Sequence, residues 1–216
     1  MSHVLAIDTS SGTSVAVLHN GQVLSSIEIA DTRSHTESIG DAIAKALDDA
    51  GIRPIQINSV AVGRGPAPFT GLRVGIAAAL MFAEGAGAQL FGVISLDAVA
   101  KQALDAGAKT PLLVTSDARR SEHYWALYSG LDEHGVPVCI EGPSVNRPAD
   151  IEHLMLSRGQ SVATTDLTIS AVAIGALFEA QLMSASLSRD ITALYLRNPD
   201  AVEPKNLREF GKKVSG

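Results

Sequence analysis

Leu5-Ala6-Ile7-Asp8 followed by Thr9-Ser10-Ser11-Gly12-Thr13 decides the fold: a short apolar strand ends on an acid and runs directly into a small polar turn. Val15-Ala16-Val17-Leu18 and Val23-Leu24-Ser25-Ser26-Ile27 continue as strands. They meet at Asn20-Gly21, a dipeptide that fills both left-handed positions of a two-residue hairpin. A three-stranded meander results.

The same order returns about one domain later. Leu112-Leu113-Val114-Thr115-Ser116-Asp117 ends on an acid, a polar turn follows, and Tyr124-Trp125-Ala126-Leu127-Tyr128 and Val136 to Ile140 form two more strands around a turn at Gly130 to Gly135. Strand, acid, turn, strand, turn, strand thus occurs twice, which reads as a duplication. The expected architecture is α/β with two halves, residues 1–106 and 107–197, and a tail at 198–216.

Between the meanders, Ser34-His35-Thr36-Glu37 is a capping box, in which serine and glutamate satisfy each other's backbone amides. The helix it opens carries Ile39, Ala42, Ile43, Ala46, Leu47 and Ala50 at the 3.6-residue period and stops at Gly51. Ser59-Val60-Ala61-Val62 is a buried strand that enters a loop at residues 63–73, stiffened by Pro66 and Pro68. Thr70 is the expected cap of a second helix, residues 72–86, rich in Gly and Ala. A strand at 90–94 and a helix capped by Ser95 complete the first half. In the second half, helices are expected near 149–157 and 168–183, and Ile191 to Leu196 reads as a last strand.

Composition narrows the function. Apolar residues are 46% and charged residues 19% of 216, the balance of a chain with a buried core. A net charge of −6 argues against generic binding to a nucleic acid backbone, which needs clustered Lys and Arg. The one cysteine, Cys139, excludes an internal disulfide framework and reads as a small buried apolar residue. The chain enters a strand at once, without a secretory leader, and its most apolar stretch, 74–83, is short of the ~20 residues of a membrane span. No membrane contact is expected, and the compartment expected is the cytoplasm.

Two acids close the two first strands. Asp8 with Thr9 and Ser10 either holds a phosphate on the backbone amides of its turn, as paired α/β halves of the actin type do, or simply caps that turn, as strand-ending aspartates often do. The second turn, Asp117-Ala118-Arg119-Arg120-Ser121-Glu122, has no glycine to permit close approach to a phosphate, so a two-sided nucleotide clamp is incomplete. Arg119 and Arg120 are candidates for contact with an anion or an RNA phosphate, against the bland reading of a solvated turn. His35 has Ile39, not a second ligand, one turn on, and no metal site is expected. There is no Gly-x-Ser-x-Gly elbow and no Walker lysine, so neither a serine hydrolase nor a P-loop is indicated. The loop at 63–73 is either a recognition loop presenting Phe69 and Arg73 or a stiff connection.

Leu5-Ala6-Ile7-Asp8-Thr9-Ser10, Arg33-Ser34-His35, Val62-Gly63-Arg64-Gly65-Pro66, Phe69-Thr70-Gly71-Leu72-Arg73-Val74-Gly75, Asp117-Ala118-Arg119-Arg120 and Tyr195-Leu196-Arg197 together resemble the TsaB family, also called YeaZ. The sequence departs at Ala67 and Pro68, where the family usually has Gly-Ser. The resemblance implies two actin-like (ASKHA, RNase H-like) halves. It also implies a dimerization subunit of the bacterial machinery that places threonylcarbamoyl on the adenosine beside the tRNA anticodon. Implied with it are a catalytic paralogue, TsaD, an ATPase, TsaE, and tRNA met through the complex. Alone, the chain would form a homodimer. No cofactor is expected on the isolated chain, with ATP or ADP only at the level of the complex. The family pairs through its two N-terminal helices, which makes Ile39, Ile43, Leu72, Ile76 and Leu80 the expected interface, against the alternative that they fill the chain's own core. The competing functions are an independent actin-like phosphotransferase and a glycopeptidase-type hydrolase.

Overall fold

The computed structural model describes residues 2–30, 35–157, 162–165 and 167–197. The meander forms as read: β1 (His3–Asp8), β2 (Thr13–His19) and β3 (Gln22–Ile29) pair antiparallel. At the hairpin, Asn20 and Gly21 both take positive φ, 49° and 79°, the conformation whose twist matches paired strands. β4 (Ser59–Gly63) and β5 (Gln89–Val93) add in parallel, so the first sheet runs β3-β2-β1-β4-β5.

Alternation along β1 explains why it is buried on both faces. Leu5 and Ile7 face α1 (His35–Ala50) and α2 (Phe69–Ala86), where Ile39, Ala42, Ile43, Ala46 and Leu47 of α1 close the core. Val4 and Ala6 face the other way, onto Ala171, Ile174, Leu177 and Phe178 of α5 (Ala171–Met183). Each Val, Leu, Ile or Phe among them contributes about 1.5–3 kcal/mol on burial.

The second sheet contains β6 (Leu112–Asp117), β7 (His123–Leu131), β8 (Pro137–Asn146) and a short β9 (Ala163–Thr165), in the order β8-β7-β6-β9. α3 (Ser95–Asp105) lies between the sheets: Ala98 packs with the first, while Leu96, Val99, Ala100 and Ala103 pack with Leu112, Val114, Tyr124 and Tyr128 of the second. α4 (Pro148–Ser157) covers the far face through Ile151 and Met155 against Leu113, Trp125 and Leu127. The architecture is therefore α/β, with two mixed sheets and five helices among the described residues.

Several expectations change. α2 begins at Phe69 with Pro68 at its N-cap and no capping side chain, so Thr70 lies inside the helix; proline supplies a fixed φ where no amide partner is needed. α5 begins at Ala171, not 168, because Ser170 caps it by accepting from the Ala173 amide. α5, from the second part of the sequence, packs against the first sheet through Ala171, Ile174, Leu177 and Phe178. Ile191 to Leu196 is extended without a ladder; its neighbourhood makes one isolated bridge, Gly92 with Ser188. Cys139 is exposed, not buried, because β8 is an edge strand. The Ser34 capping box and the tail at 198–216 lie outside the described residues.

Candidate functional site

β1 and β4 end side by side, and Asp8 closes the first strand with 1% of its surface exposed. Its Oδ1 accepts from the Ser10 amide at 2.7 Å, and its Oδ2 from the Ser95 hydroxyl at 2.8 Å. The Ser10 hydroxyl stands 3.3 Å from both Asp8 Oδ2 and Ser95 Oγ. Burial pushes the Asp8 carboxyl up to about 6, against the opposing pull of these hydrogen bonds. Thr9, equally buried, donates its hydroxyl to the Gly71 carbonyl of α2 at 2.9 Å. The side chains of Asp8, Thr9 and Ser10 are thus engaged with partners within the chain.

Ser95 is not the helix cap expected of it. Ile94 occupies the N-cap position, while the Ser95 hydroxyl donates to Asp8 and accepts from the Gly65 amide at 3.2 Å. One fully buried serine therefore ties β1, the loop after β4 and α3 together. Periodicity places Ser95 at a helix start but carries no signal for a contact spanning so much sequence.

The two first turns face each other across a cleft of about 190 Å³. Ser10, Ser11 and the Pro66-Ala67-Pro68 loop form one wall; Ser116, Asp117 and Arg119 form the other. This volume falls below the ~300–1,000 Å³ of pockets that hold drug-sized ligands. In the second turn Arg119, Arg120 and Ser121 are all left-handed without a glycine among them, with φ of 65°, 54° and 58°. The turn is held by Ala118 N donating to Glu122 O at 2.9 Å and by the Arg119 amide donating to Asp117 Oδ1 at 2.7 Å. Both arginines lie on the surface, Arg119 with its guanidinium 4.0 Å from Asp117. A larger hollow of about 360 Å³ lies between α4 and the outer face of the second sheet, away from Asp8.

The five expected interface residues separate. Leu72 is fully buried, and Ile39 and Ile43 are 7% and 8% exposed on the inner face of α1. These three fill the chain's own core. Ile76 is half-buried and packs against that core. Leu80 is 41% exposed, and beside it stands Met81 at 71%, a residue that periodicity does not single out. Thr70, Arg73, Ala77, Leu80, Met81 and Glu84 make the outer stripe of α2.

A family model described as "TsaD: tRNA N6-adenosine threonylcarbamoyltransferase" matches residues 22–211. An uncharacterized protein of Mycobacterium tuberculosis is 37% identical over 155 residues, covering 70% of this chain and 68% of that protein. The tRNA threonylcarbamoyladenosine biosynthesis protein TsaB of Escherichia coli is 37% identical over 153 residues, covering 70% of this chain and 65% of its own length. The solved structure of YeaZ from Pseudomonas aeruginosa superposes with a TM-score of 0.75 at 25% identity, over 91% of this chain and 100% of that one. With strand order, opening turns and the loop after β4 all in place, the chain belongs to the TsaB/YeaZ family, within the wider family of TsaD-like domains.

Proposed function

We propose that this chain is a non-catalytic, partner-binding subunit that supports threonylcarbamoyl transfer to tRNA by a TsaD-type catalytic paralogue. Relatives named for tRNA threonylcarbamoyladenosine biosynthesis support its involvement in that pathway. The observation that carries the subunit reading is the outer stripe of α2, where Leu80 and Met81 are 41% and 71% exposed on a helix whose opposite face is anchored in the core. A rigid helix with an outward apolar strip, rich in small residues that admit close approach, is suited to lie against another helix. The internal engagement of Asp8, Thr9 and Ser10 supports the absence of a reaction centre of its own.

On this reading the stripe pairs either with the paralogue or, when the chain is alone, with a second copy. A TsaE-type ATPase and tRNA join at the level of the complex, and any ATP or ADP is held there. The cytoplasm is the compartment the reading requires; no described helix is long and apolar enough to cross a membrane.

The test is threonylcarbamoyl transfer to tRNA by the catalytic paralogue with and without this chain, run beside ATP hydrolysis by this chain alone. Transfer that depends on the chain, with no hydrolysis by it, is expected. Vigorous hydrolysis without the paralogue would overturn the reading and restore Asp8 to the centre of a phosphotransferase.

A further inference from the structure

Residues 187–197 follow α5 in an extended run that contacts residues on both sides of the cleft, Arg64 and Arg73 on one and Glu122 on the other. Leu187 packs in the core beneath α5, Ile191 in the core beneath α1 and α2, and Leu196 in the core of the second half. The run lies flat on β5: the Gly92 amide donates to Ser188 O at 2.9 Å, and a methyl group at Gly92 would stand 2.1 Å from the carbonyl oxygen of Asp190.

Both flanks of the Pro66-Ala67-Pro68 loop, Arg64 before it and Arg73 of α2 after it, are fastened to this run. At one end, the Arg64 guanidinium pairs with Asp190 at 2.7 Å and donates to the Thr192 carbonyl at 3.2 Å, while the Leu194 amide donates to Arg64 O at 2.8 Å. At the other end, Arg73 Nε donates to the Tyr195 hydroxyl at 2.7 Å, with the guanidinium 5.5 Å from the ring centroid. The second wall is fastened too. Arg197 pairs with Glu122, whose backbone closes the left-handed turn through Ala118 and Arg119.

We propose that residues 187–197 act as a latch that sets the separation of the two halves and holds the cleft at its small volume. Core packing through α3 joins the halves, and the latch runs between them from Arg64, before the Pro66 loop, to Glu122, after the Arg119 turn. An extended segment anchored by discrete side-chain contacts is the kind of element that yields while the sheets on either side stay intact. Were the segment mere packing, its loss would lower stability and leave the separation unchanged.

Spin labels on Asp48→Cys in α1 and His153→Cys in α4, in a Cys139→Ser background, report that separation by pulsed dipolar spectroscopy, with unlabelled chain added in excess so that only distances within one molecule count. The latch is broken by Asp190→Ala with Tyr195→Ala, at positions 51% and 37% exposed, which leaves the two cores in place. A shift to longer separation, larger than the spread of the unbroken protein, is expected. Gly92→Ala, which lifts the segment without removing any of the side chains that fasten it, should shift it in the same direction. The native distribution in the double variant would overturn the proposal, whether or not Gly92→Ala folds.

Discussion

A β-carbon on Gly63 would stand 1.8 Å from Oδ2 of Asp8. The buried carboxylate occupies the place a side chain on the neighbouring strand would need. Gly63→Ala must push Asp8 off Ser95, which adds overpacking to a broken buried hydrogen bond. A loss of about 2–4 kcal/mol is expected by urea unfolding. A loss below about 0.5 kcal/mol, the range of neutral surface changes, would mean that the Asp8 network is soft.

The pH dependence of stability follows from the same carboxylate. Burial raises Asp8 from 3.8 to about 6 in the folded chain, so the folded state keeps a proton that the unfolded state has released. Its contribution to stability is present below 3.8 and is lost as the pH rises through about 6. Asp97 adds in the same direction: burial raises it to about 6 although the Tyr128 hydroxyl donates to it at 2.6 Å. A two-unit shift corresponds to about 3 kcal/mol per group as an order of magnitude. Asp8→Asn keeps an acceptor for the Ser10 amide and removes the ionisation. Its urea midpoint should therefore vary less between about pH 4 and 7 than that of the parent chain. An unchanged slope would show that Asp8 does not titrate there.

The meanders are legible in the sequence because each uses local signals: Asn20-Gly21 for one turn, and alternating apolar runs bounded by acids at Asp8 and Asp117. What does not read is nonlocal. β9 is only Ala163–Thr165, too short for a period to register, and exists because β6 offers it a parallel partner. Ile191 to Leu196 reads like a strand, but Ile191 and Leu196 pack into different cores, and its amides bond singly, Leu194 to the Arg64 carbonyl and Thr192 to the Asp190 carboxylate, rather than in a ladder. Ser95 and Asp8 lie 87 residues apart, so each looks like an ordinary cap. The apolar period on α1 and α2 is plain, yet a period alone does not say which turn of the stripe faces the core and which faces outward. Leu72 and Leu80 sit on one helix, and only burial separates them.

That separation gives opposite outcomes for two substitutions on α2. Leu72→Ala should destabilise the chain by about 2–5 kcal/mol, the usual cost of truncating a fully buried leucine. Met81→Arg should leave the dilute monomer within about 0.5 kcal/mol of the parent while abolishing pairing in light scattering. If pairing survives both Met81→Arg and Leu80→Arg, the outer stripe of α2 is not the pairing face.

The turn at Arg119, Arg120 and Ser121 separates strain from charge. A left-handed residue with a β-carbon costs roughly 1–2 kcal/mol, offset in glycine by about 0.5–1 kcal/mol of extra freedom in the unfolded chain. Ser121→Gly, at a φ of 58°, should stabilise the chain by about 0.5–1 kcal/mol and leave every arginine in place. Arg119→Gln with Arg120→Gln keeps the strain and removes two positive charges from the turn, one of them at the cleft. If the pair meets phosphate, tRNA binding by the assembled complex should weaken, with a log–log salt slope shallower by roughly 0.7–0.9 for each phosphate that is no longer neutralised. An unchanged slope with Ser121→Gly still stabilising would assign the turn to backbone geometry alone.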